Sequence, residues 1–203
     1  MSEPWAEDLP LFPLKAVLFP GGLLPLRIFE QRYMTMAKAC LREETPFGVC
    51  LIRTGAEVGE PALPEAIGCT ARIIQWEMQQ LGLLQVTTRG ERRFRIRERR
   101  VREDGLTRAS VEPIDEDSDA PVPARLRSCA RLLELVIADK GARLIETPYR
   151  LDSASWVSAR LTEILPVPLI AKQRLMELTD SLQRLEIIHK FMLQHGLAGA
   201  EKP

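Results

Sequence analysis

The sequence changes character once, at the acidic and proline-containing segment EPIDEDSDAPVPAR (112–125). Before this segment, short apolar runs rich in β-branched residues are separated by glycine and proline, which is typical of strands. After it, apolar residues recur every three or four positions, which is typical of helices. The segment itself is nearly free of apolar residues, so it reads as a solvated linker at about 112–123. The chain is therefore predicted to have two parts, residues 1–115 and 116–203.

The first part is predicted to form a mostly antiparallel sheet with one helix. Glycine at the second central position of the turn at Pro20-Gly21 indicates type II geometry, and further turns are expected at Leu81-Gly82 and Asp104-Gly105. Six or more strands suggest a closed or nearly closed small barrel. The extended segments are expected at 9–21, 23–29, 47–53, 67–80, 83–103 and 106–114.

The helix of the first part is predicted over residues 29–43, with Glu30 in its first turn, where a carboxylate complements the helix dipole. Spacings of three and four indicate one buried face, and its residues are Phe29, Tyr33, Met36, Ala37 and Cys40.

The second part is predicted to be a small bundle of four helices. The first covers 121–141 and ends at Gly141, and the second begins after an Asp152 cap and ends at Leu165. Pro168 opens the third, and Asp180 caps a fourth that Gly196 closes. The predicted fold class is accordingly α+β, with a barrel-like sheet followed by a helical bundle.

A run of arginines, GERRFRIRERR (90–100), is the strongest local charge signal. From Arg89 to Arg102 there are eight arginines and two glutamates, a local excess of six positive charges. Alternation along a strand predicts that Phe94 and Ile96 point inward, that Arg93, Arg95 and Arg97 point to solvent, and that a bulge follows near Glu98. The acidic residues of 112–119 are candidate partners for some of the arginines.

Nucleic-acid binding through this arginine run is the alternative hypothesis. The whole chain has a formal net charge of zero and a pI near 6.8, so it presents no overall basic field to a polyanion. The run also lacks the interleaved exposed aromatic residues that stack on bases, because its one aromatic, Phe94, is predicted to face the core. We therefore interpret the run mainly as the solvated face of a strand.

The sequence contains no recognisable catalytic, cofactor or metal motif. The phosphate-binding pattern GxxxxGK[ST] and the motifs GxGxxG, GxSxG and HExxH are absent. His189 and His195 do not share a helix face, and the widely spaced Cys40, Cys50, Cys69 and Cys129 are interpreted as buried free thiols. The expectation is a chain without enzymatic activity, cofactor or metal. A small-ligand pocket between the two parts is a further alternative.

No apolar run approaches the roughly 18 residues of a membrane-spanning helix. The acidic, proline-broken start MSEPWAEDLP lacks the pattern of a secretion signal, so a cytoplasmic location is expected.

Three segments together resemble one known family. They are PLFPLKAVLFPGGLLPLRIFEQRY (10–33), FGVCLIRTGAEVG…IGCTARIIQWE (47–77) and LPVPLIAKQRLMELTDSLQRLEIIHKFM (165–192). Each is similar to the corresponding part of the Lon N-terminal domain, also called the Lon substrate-binding domain. The pattern FPG, then LPL, then IFE-x-RY is the most specific part of the resemblance.

This resemblance implies a PUA-like β-barrel followed by a helical bundle. It also implies a protein-interaction role, because this region of Lon proteases helps to recognise unfolded or tagged substrates and the related region of cereblon engages a partner protein. The ATPase and Ser–Lys peptidase parts of a Lon protease have no counterpart in these 203 residues. The expectation is therefore a stand-alone, non-enzymatic bacterial module that binds unfolded or extended polypeptide, for example for a protease or chaperone.

The resemblance also supplies the candidate binding residues. Arg27, Glu30, Arg32 and Tyr33 match the family pattern. One interpretation makes Tyr33 a core residue and Glu30 a dipole or ion-pair partner. The other places Arg27 and Arg32 at the rim of a peptide-binding groove between barrel and bundle. Trp76, between Gln75 and Glu77 on a strand, is a further candidate, either buried or an exposed anchor.

Overall fold

The computed structural model describes residues 3–140 and 145–197. By its internal contacts the chain divides into two compact units, Met1–Asp115 and Glu116–Pro203. Among the described residues, the first unit contains a seven-stranded sheet and one α-helix, and the second contains four α-helices. The predicted α+β class, with a mostly antiparallel sheet before a group of helices, is confirmed.

The first unit begins with a short 3-10 helix, Pro4–Ala6, before the first strand. Its long hairpin turns at Leu81 and Gly82 as predicted, and Gly82 has a φ of 84°. The elements are β1 (Leu9–Leu14), β2 (Leu23–Ile28), α1 (Gln31–Glu43), β3 (Phe47–Thr54), β4 (Leu63–Pro64), β5 (Ile67–Gln80), β6 (Leu83–Val101) and β7 (Thr107–Pro113).

The strands are hydrogen-bonded in the order β1-β7-β6-β5-β3-β4, and β2 pairs with the first half of β6. Strand β1 also pairs with β3 in parallel, with Leu11 opposite Gly48 and Leu14 opposite Leu51. The path from β1 through β7, β6, β5 and β3 thus returns to β1. All other pairings are antiparallel. The more specific description of this sheet as a PUA-like barrel remains a prediction.

Strand β1 lies between β7 and β3, and it is buried on both faces because an apolar cluster packs against each face. Alternation sends Leu9 and Leu11 into one apolar cluster and Phe12 and Leu14 into another. The second cluster is the larger one and contains the buried face of α1. The buried α1 residues include Tyr33, Met36, Ala37 and Cys40, as the spacing predicted.

The start of α1 differs from the prediction. The helix begins at Gln31, and Glu30 is its N-cap, with extended backbone and a carbonyl that accepts the Met34 N–H. Phe29 therefore precedes the helix and is exposed, so its predicted place on the buried face is wrong. The turn before β2 agrees with the prediction, because Gly21 has a φ of 72° and the Gly22 N–H donates to the Phe19 carbonyl.

Phe94 lies at the centre of the smaller cluster, and a glycine makes room for its ring. A Cβ atom added at Gly48 would lie 2.7 Å from Phe94 Cζ and 2.8 Å from Leu11 Cδ2, far closer than real contacts allow. Phe94 is completely buried, as predicted. The cluster therefore requires the absence of a side chain at position 48.

The second unit contains α2 (Arg127–Lys140), preceded by a 3-10 turn (Ala124–Leu126), then α3 (Ala154–Ile164), α4 (Leu169–Glu177) and α5 (Ser181–Gln194). The buried side chains of this unit include Leu126, Cys129, Leu133, Val157 and Leu161, and Leu185, Ile188 and Met192 on α5. The four predicted helices are present among the described residues. The predicted end of α2 at Gly141 lies outside the described residues.

Two helix starts test the predicted caps. The Asp180 carboxylate accepts hydrogen bonds from the Leu182 and Gln183 N–H groups, so this cap is confirmed. The cap of α3 is Ser153, whose hydroxyl accepts the Trp156 N–H, and not Asp152. Gly196 follows α5 with a φ of 66° and closes it as predicted.

Residues 117–119 of the acidic segment, which was predicted to be a solvated linker, bind to the helices. Asp117 forms an ion pair with the buried Arg184 and accepts a hydrogen bond from the Ser155 hydroxyl. Asp119 accepts one from Ser153, and the Ser118 carbonyl accepts one from Ser181. These partners lie at the starts of α3 and α5, so residues 117–119 are attached to the helices although Ser118 and Asp119 are themselves exposed.

Arg184 is the centre of this polar network. Its Nε donates to the Ser158 hydroxyl at 2.9 Å, and its Nη1 donates to the Leu178 carbonyl at 3.1 Å. Its Nη2 donates a hydrogen bond to the Asp117 carboxylate. A guanidinium removed from water in this way needs its acidic partner, since an unpaired buried charge is costly.

The four cysteines are free and buried, as predicted. Burial raises the pKa of Cys129 to about 12 and also raises the pKa of Cys40 and Cys50 above the ordinary thiol value. These thiols therefore stay protonated at neutral pH and act as small apolar core groups.

Gly48→Ala is expected to lower the free energy of unfolding by about 1–3 kcal/mol, because the added methyl group overpacks the Phe94 cluster. Urea unfolding measures the loss. In a Phe94→Leu background the same change should cost clearly less, because the shorter side chain gives the methyl group space. If the free-energy losses of the two single substitutions simply add in the double variant, the Phe94 ring is not what excludes a methyl group at position 48.

Arg184→Ala is expected to lower the free energy of unfolding of the second unit by about 3–5 kcal/mol, because Asp117 would stay buried without its guanidinium. The matched control is Arg125→Ala, which removes an exposed ion pair with Glu186 and should cost less than about 1 kcal/mol. Denaturant unfolding of both variants makes the comparison. Equal losses would contradict a structural role for the network.

Candidate functional site

A cavity of about 70 Å³ opens at the end of β2, where the chain leaves the sheet and enters α1. It brings together three of the predicted binding residues, Arg27, Glu30 and Tyr33. Its complete lining is Phe12, Leu14, Arg27, Ile28, Phe29, Glu30, Tyr33, Glu57 and Val58.

Two stacked aromatic rings form an apolar wall of this cavity. The ring centroids of Phe12 and Tyr33 lie 4.0 Å apart with an angle of 21° between the rings. Both side chains are buried in the larger core cluster. Burial raises the pKa of Tyr33, so its hydroxyl stays protonated at neutral pH. Tyr33 is thus both a core residue and part of the cavity lining.

Two exposed apolar side chains, Phe29 and Val58, also line the cavity. They are 57% and 55% exposed, high values for such residues beside a cavity. Arg27 is exposed as well, and the carboxylates of Glu30 and Glu57 contribute negative charge. The cavity lining therefore combines apolar side chains with residues of both charges. Such a lining can bind an extended peptide that carries an apolar side chain.

Arg32 does not lie at an exposed rim. It is 8% exposed and forms an ion pair with Glu30 at 2.9 Å. Its guanidinium donates to the carbonyls of Gly59 and Gly105, and it lies 4.7 Å from the Tyr33 ring centroid. Arg32 thus ties the start of α1 to the loop that carries Val58. The proposal that it contacts a peptide directly is weakened, and a positioning role fits its contacts better.

Trp76 lies apart from the residues that line the cavity. It is 61% exposed on β5, so of the two interpretations the exposed one describes its position. It is paired with Val86 of β6, which is paired in turn with Leu26 of β2. Paired residues of antiparallel neighbours share a face, so these three residues form one row across three strands.

Sequence reasoning missed six lining residues, namely Phe12, Leu14, Ile28, Phe29, Glu57 and Val58. The spacing of Phe29 fits the buried helix face, which concealed its position at the cavity. One signal was available: glycines at 55 and 59 flank Val58, and both have positive φ. This pattern indicates a loop of defined shape that presents an apolar residue.

At least three of the eight arginines between Arg89 and Arg102 form ion pairs with carboxylates. Arg97 pairs with Glu112, Arg100 with Asp8 and Arg92 with Glu3. The predicted bulge between Ile96 and Glu98 is present. Arg93 is buried and donates to the Asp115 carbonyl, so its predicted exposure is wrong. This pairing does not favour the nucleic-acid alternative, because phosphate contacts require available cations.

Within residues 3–140 and 145–197 there is no group of three or more His, Cys, Asp or Glu side chains that could hold a metal ion. No helix in the same part of the chain is long and apolar enough to cross a membrane.

Comparison with known proteins places this geometry in a family. The family model of the ATP-dependent protease La (LON) substrate-binding domain matches residues 8–194. The chain belongs to this family. The match includes the cavity at the end of β2 and all four helices, so the resemblance noted in the sequence is confirmed.

The curated relatives are longer proteins. A Lon protease of Xanthomonas oryzae is 26% identical over 196 residues, which cover 92% of this chain and 23% of the relative. A Lon protease of Anaeromyxobacter dehalogenans is 25% identical, with 89% and 22% covered. Cereblon of Danio rerio is 30% identical over 119 residues, 57% of this chain and 27% of that protein. The chain spans about a quarter of each relative.

Solved structures of similar proteins are isolated domains. A Lon N-terminal domain protein from Xanthomonas campestris has a TM-score of 0.75 and 35% identity, covering 91% of this chain and 98% of that one. The N-terminal domain of Mycobacterium avium complex Lon protease has a TM-score of 0.63 at 18% identity and covers 93% of this chain and 100% of that chain. The second likeness concerns the fold alone.

The contrast between the two candidate arginines is testable. Arg32→Ala is expected to lower the free energy of unfolding by about 2–4 kcal/mol, since it leaves Glu30 and two carbonyls without their donor. Arg27→Ala should change it by less than about 0.5 kcal/mol, because Arg27 is exposed. Urea denaturation of both variants measures the two changes in the free energy of unfolding. Equal changes would contradict a positioning role for Arg32.

Proposed function

We propose that this protein is a non-catalytic recognition module that binds exposed apolar segments of unfolded or extended polypeptide. Membership in the Lon substrate-binding domain family supports a substrate-recognition role. The observation that carries the finer proposal is the cavity at the end of β2, where Phe29 and Val58 stay exposed beside a buried aromatic wall.

The binding mode follows from the cavity lining. Leaving two large apolar side chains in water is unfavourable, and covering them with an apolar side chain of a peptide recovers that free energy. With a volume of about 70 Å³ the cavity can accept part of one side chain, not a large ligand. The lining also contains the charged residues Arg27 and Glu57, which favour residues of opposite charge next to the apolar side chain of the peptide.

The remaining roles follow from this proposal. Arg27, Glu30 and Tyr33 contact or frame the bound segment, Arg32 holds the loop that carries Val58, and Trp76 offers a separate apolar contact. We place the protein in the bacterial cytoplasm, where it holds substrates for a protease or a chaperone. The closed sheet acts as a PUA-like barrel that supports the cavity. No chemical step is assigned to any residue.

Binding of a reduced and S-carboxymethylated protein, which cannot refold, tests this proposal. The double variant Phe29→Ser/Val58→Ser is expected to bind about tenfold or more weakly, because most of the apolar contact is lost. The affinity is measured by fluorescence anisotropy with the labelled unfolded chain.

The matched control is Leu135→Ser on α2, which removes an apolar side chain that is 63% exposed but far from the cavity lining in sequence. Its affinity should equal that of the unmodified protein. If the unmodified protein does not bind the unfolded chain, or if the double variant binds as well as the control, the proposal is wrong.

A further inference from the structure

The β5–β6 hairpin extends beyond the part of the sheet that β3 covers. Strand β5 pairs with β3 only between Cys69 and Ala71. From Ile73 to Gln80 it pairs with β6 on one side. Among the described residues, no strand pairs with β5 on its other side along this stretch. The backbone N–H and C=O groups of alternate residues there point away from β6, toward an edge that no described strand occupies and that another strand can extend.

The two edges of this part of the sheet are not alike. On the far side of β6 lies β2, whose sequence LLPLRI contains Pro25 and the charged Arg27. Proline removes a backbone donor, and proline and charge together are common means of protecting an edge from further pairing. The stretch IIQWEMQQ of β5 (73–80) contains no proline and no lysine and has one charged residue. Only the β2 edge is protected by its sequence.

The open edge also carries exposed apolar side chains. Trp76 is 61% exposed, and Met78, two residues further along the strand, is 38% exposed. Leu81 at the turn is 98% exposed. Tryptophan is among the residues that contribute most to binding when a partner covers them. A partner strand at this edge could therefore bind both backbone groups and apolar side chains of β5.

We infer that the edge of β5 at residues 73–80 binds an extended polypeptide segment as an additional strand. Backbone hydrogen bonds supply sequence-independent affinity, and an uncharged side chain of the segment packs on Trp76 and Met78. This inference rests on the proposed function and gives it a mode of recognition: the substrate is read by its backbone as well as by one side chain.

The irregularity of β5 favours a flexible segment over a second copy of this protein. The register between β5 and β6 shifts between Ile73 and Gln75 and again between Glu77 and Gln80. Two identical folded edges would have to accommodate these shifts twice, whereas an unfolded segment adapts its own backbone to them. An unfolded chain also supplies the uncharged, strand-forming residues that such an edge accepts.

A fluorescein-labelled ten-residue peptide of alternating valine and threonine is the probe, used with the complete 203-residue chain. Two further peptides carry N-methyl groups on all valines or on all threonines. In an added strand, alternate N–H groups point toward β5 and the others point away. One methylated peptide should therefore bind about tenfold or more weakly, through the loss of several hydrogen bonds, while the other keeps its affinity.

Two measurements locate the bound peptide. Amide hydrogen exchange should slow in residues 73–80 and stay unchanged in β7 when the unmethylated peptide binds. Trp76→Lys should weaken binding about tenfold, because it removes an apolar contact and adds charge at the edge. The matched control, Val101→Lys, changes an exposed apolar residue at the end of β6 and should leave binding unchanged. Circular dichroism confirms that both variants are folded.

The outcomes separate this inference from the proposed function. If the unmethylated peptide binds and Phe29→Ser/Val58→Ser weakens it, but both methylated peptides behave alike or the 73–80 amides stay unprotected, the edge inference is wrong and the proposed function stands. If neither the peptide nor an unfolded protein binds, both fail. Protection of 73–80 that rises with protein concentration, without peptide, shows a second copy on the edge and also overturns the inference.

Discussion

The first unit depends on the double pairing of β1. This strand contacts β7 on one side and β3 on the other, so it joins the last strand of the sheet to an early one. Every one of its six residues is buried, because an apolar cluster packs against each of its two faces. The two apolar clusters form on its opposite faces, and the position of α1 follows, because the helix covers the Phe12 side. The end of β2 and the cavity beside it are fixed by the same cluster, since Ile28 belongs to it.

Local signals in the sequence predicted the elements whose causes are local. The hairpin at Leu81-Gly82, the turn at Pro20-Gly21 and the Asp180 cap are each set by one or two residues and their backbone preferences. The four-helix count followed from apolar spacing together with the proline, glycine and capping residues at the helix ends. Two failed predictions, the Asp152 cap and the buried place of Phe29, missed a local helix boundary by one or two residues. Another failure concerns a feature set by distant residues. Arg93 is buried because the Asp115 carbonyl, 22 positions away, accepts its hydrogen bond, and no local pattern shows this.

The candidate site was predicted in part for the same reason. Arg27, Glu30 and Tyr33 are close together in sequence and line one cavity, so a local motif was sufficient to find them. The loop residue Val58 joins them only through long-range contacts, in which Arg32 donates to Gly59 and Glu57 accepts the Lys15 N–H. Charge patterning was informative in part, because Glu112 of the acidic segment pairs with Arg97 as expected, whereas the partners Glu3 and Asp8 are too distant in sequence for a local pattern to reveal.

The network around Arg184 affects how the protein can be dissected. Asp117, Ser118 and Asp119 belong by their contacts to the helices, although their composition resembles a spacer. A fragment of the helical half that started at the first turn of its first helix would lack these groups and would leave a guanidinium stranded in the interior. The useful cut lies ahead of Glu116, where the two compact units divide.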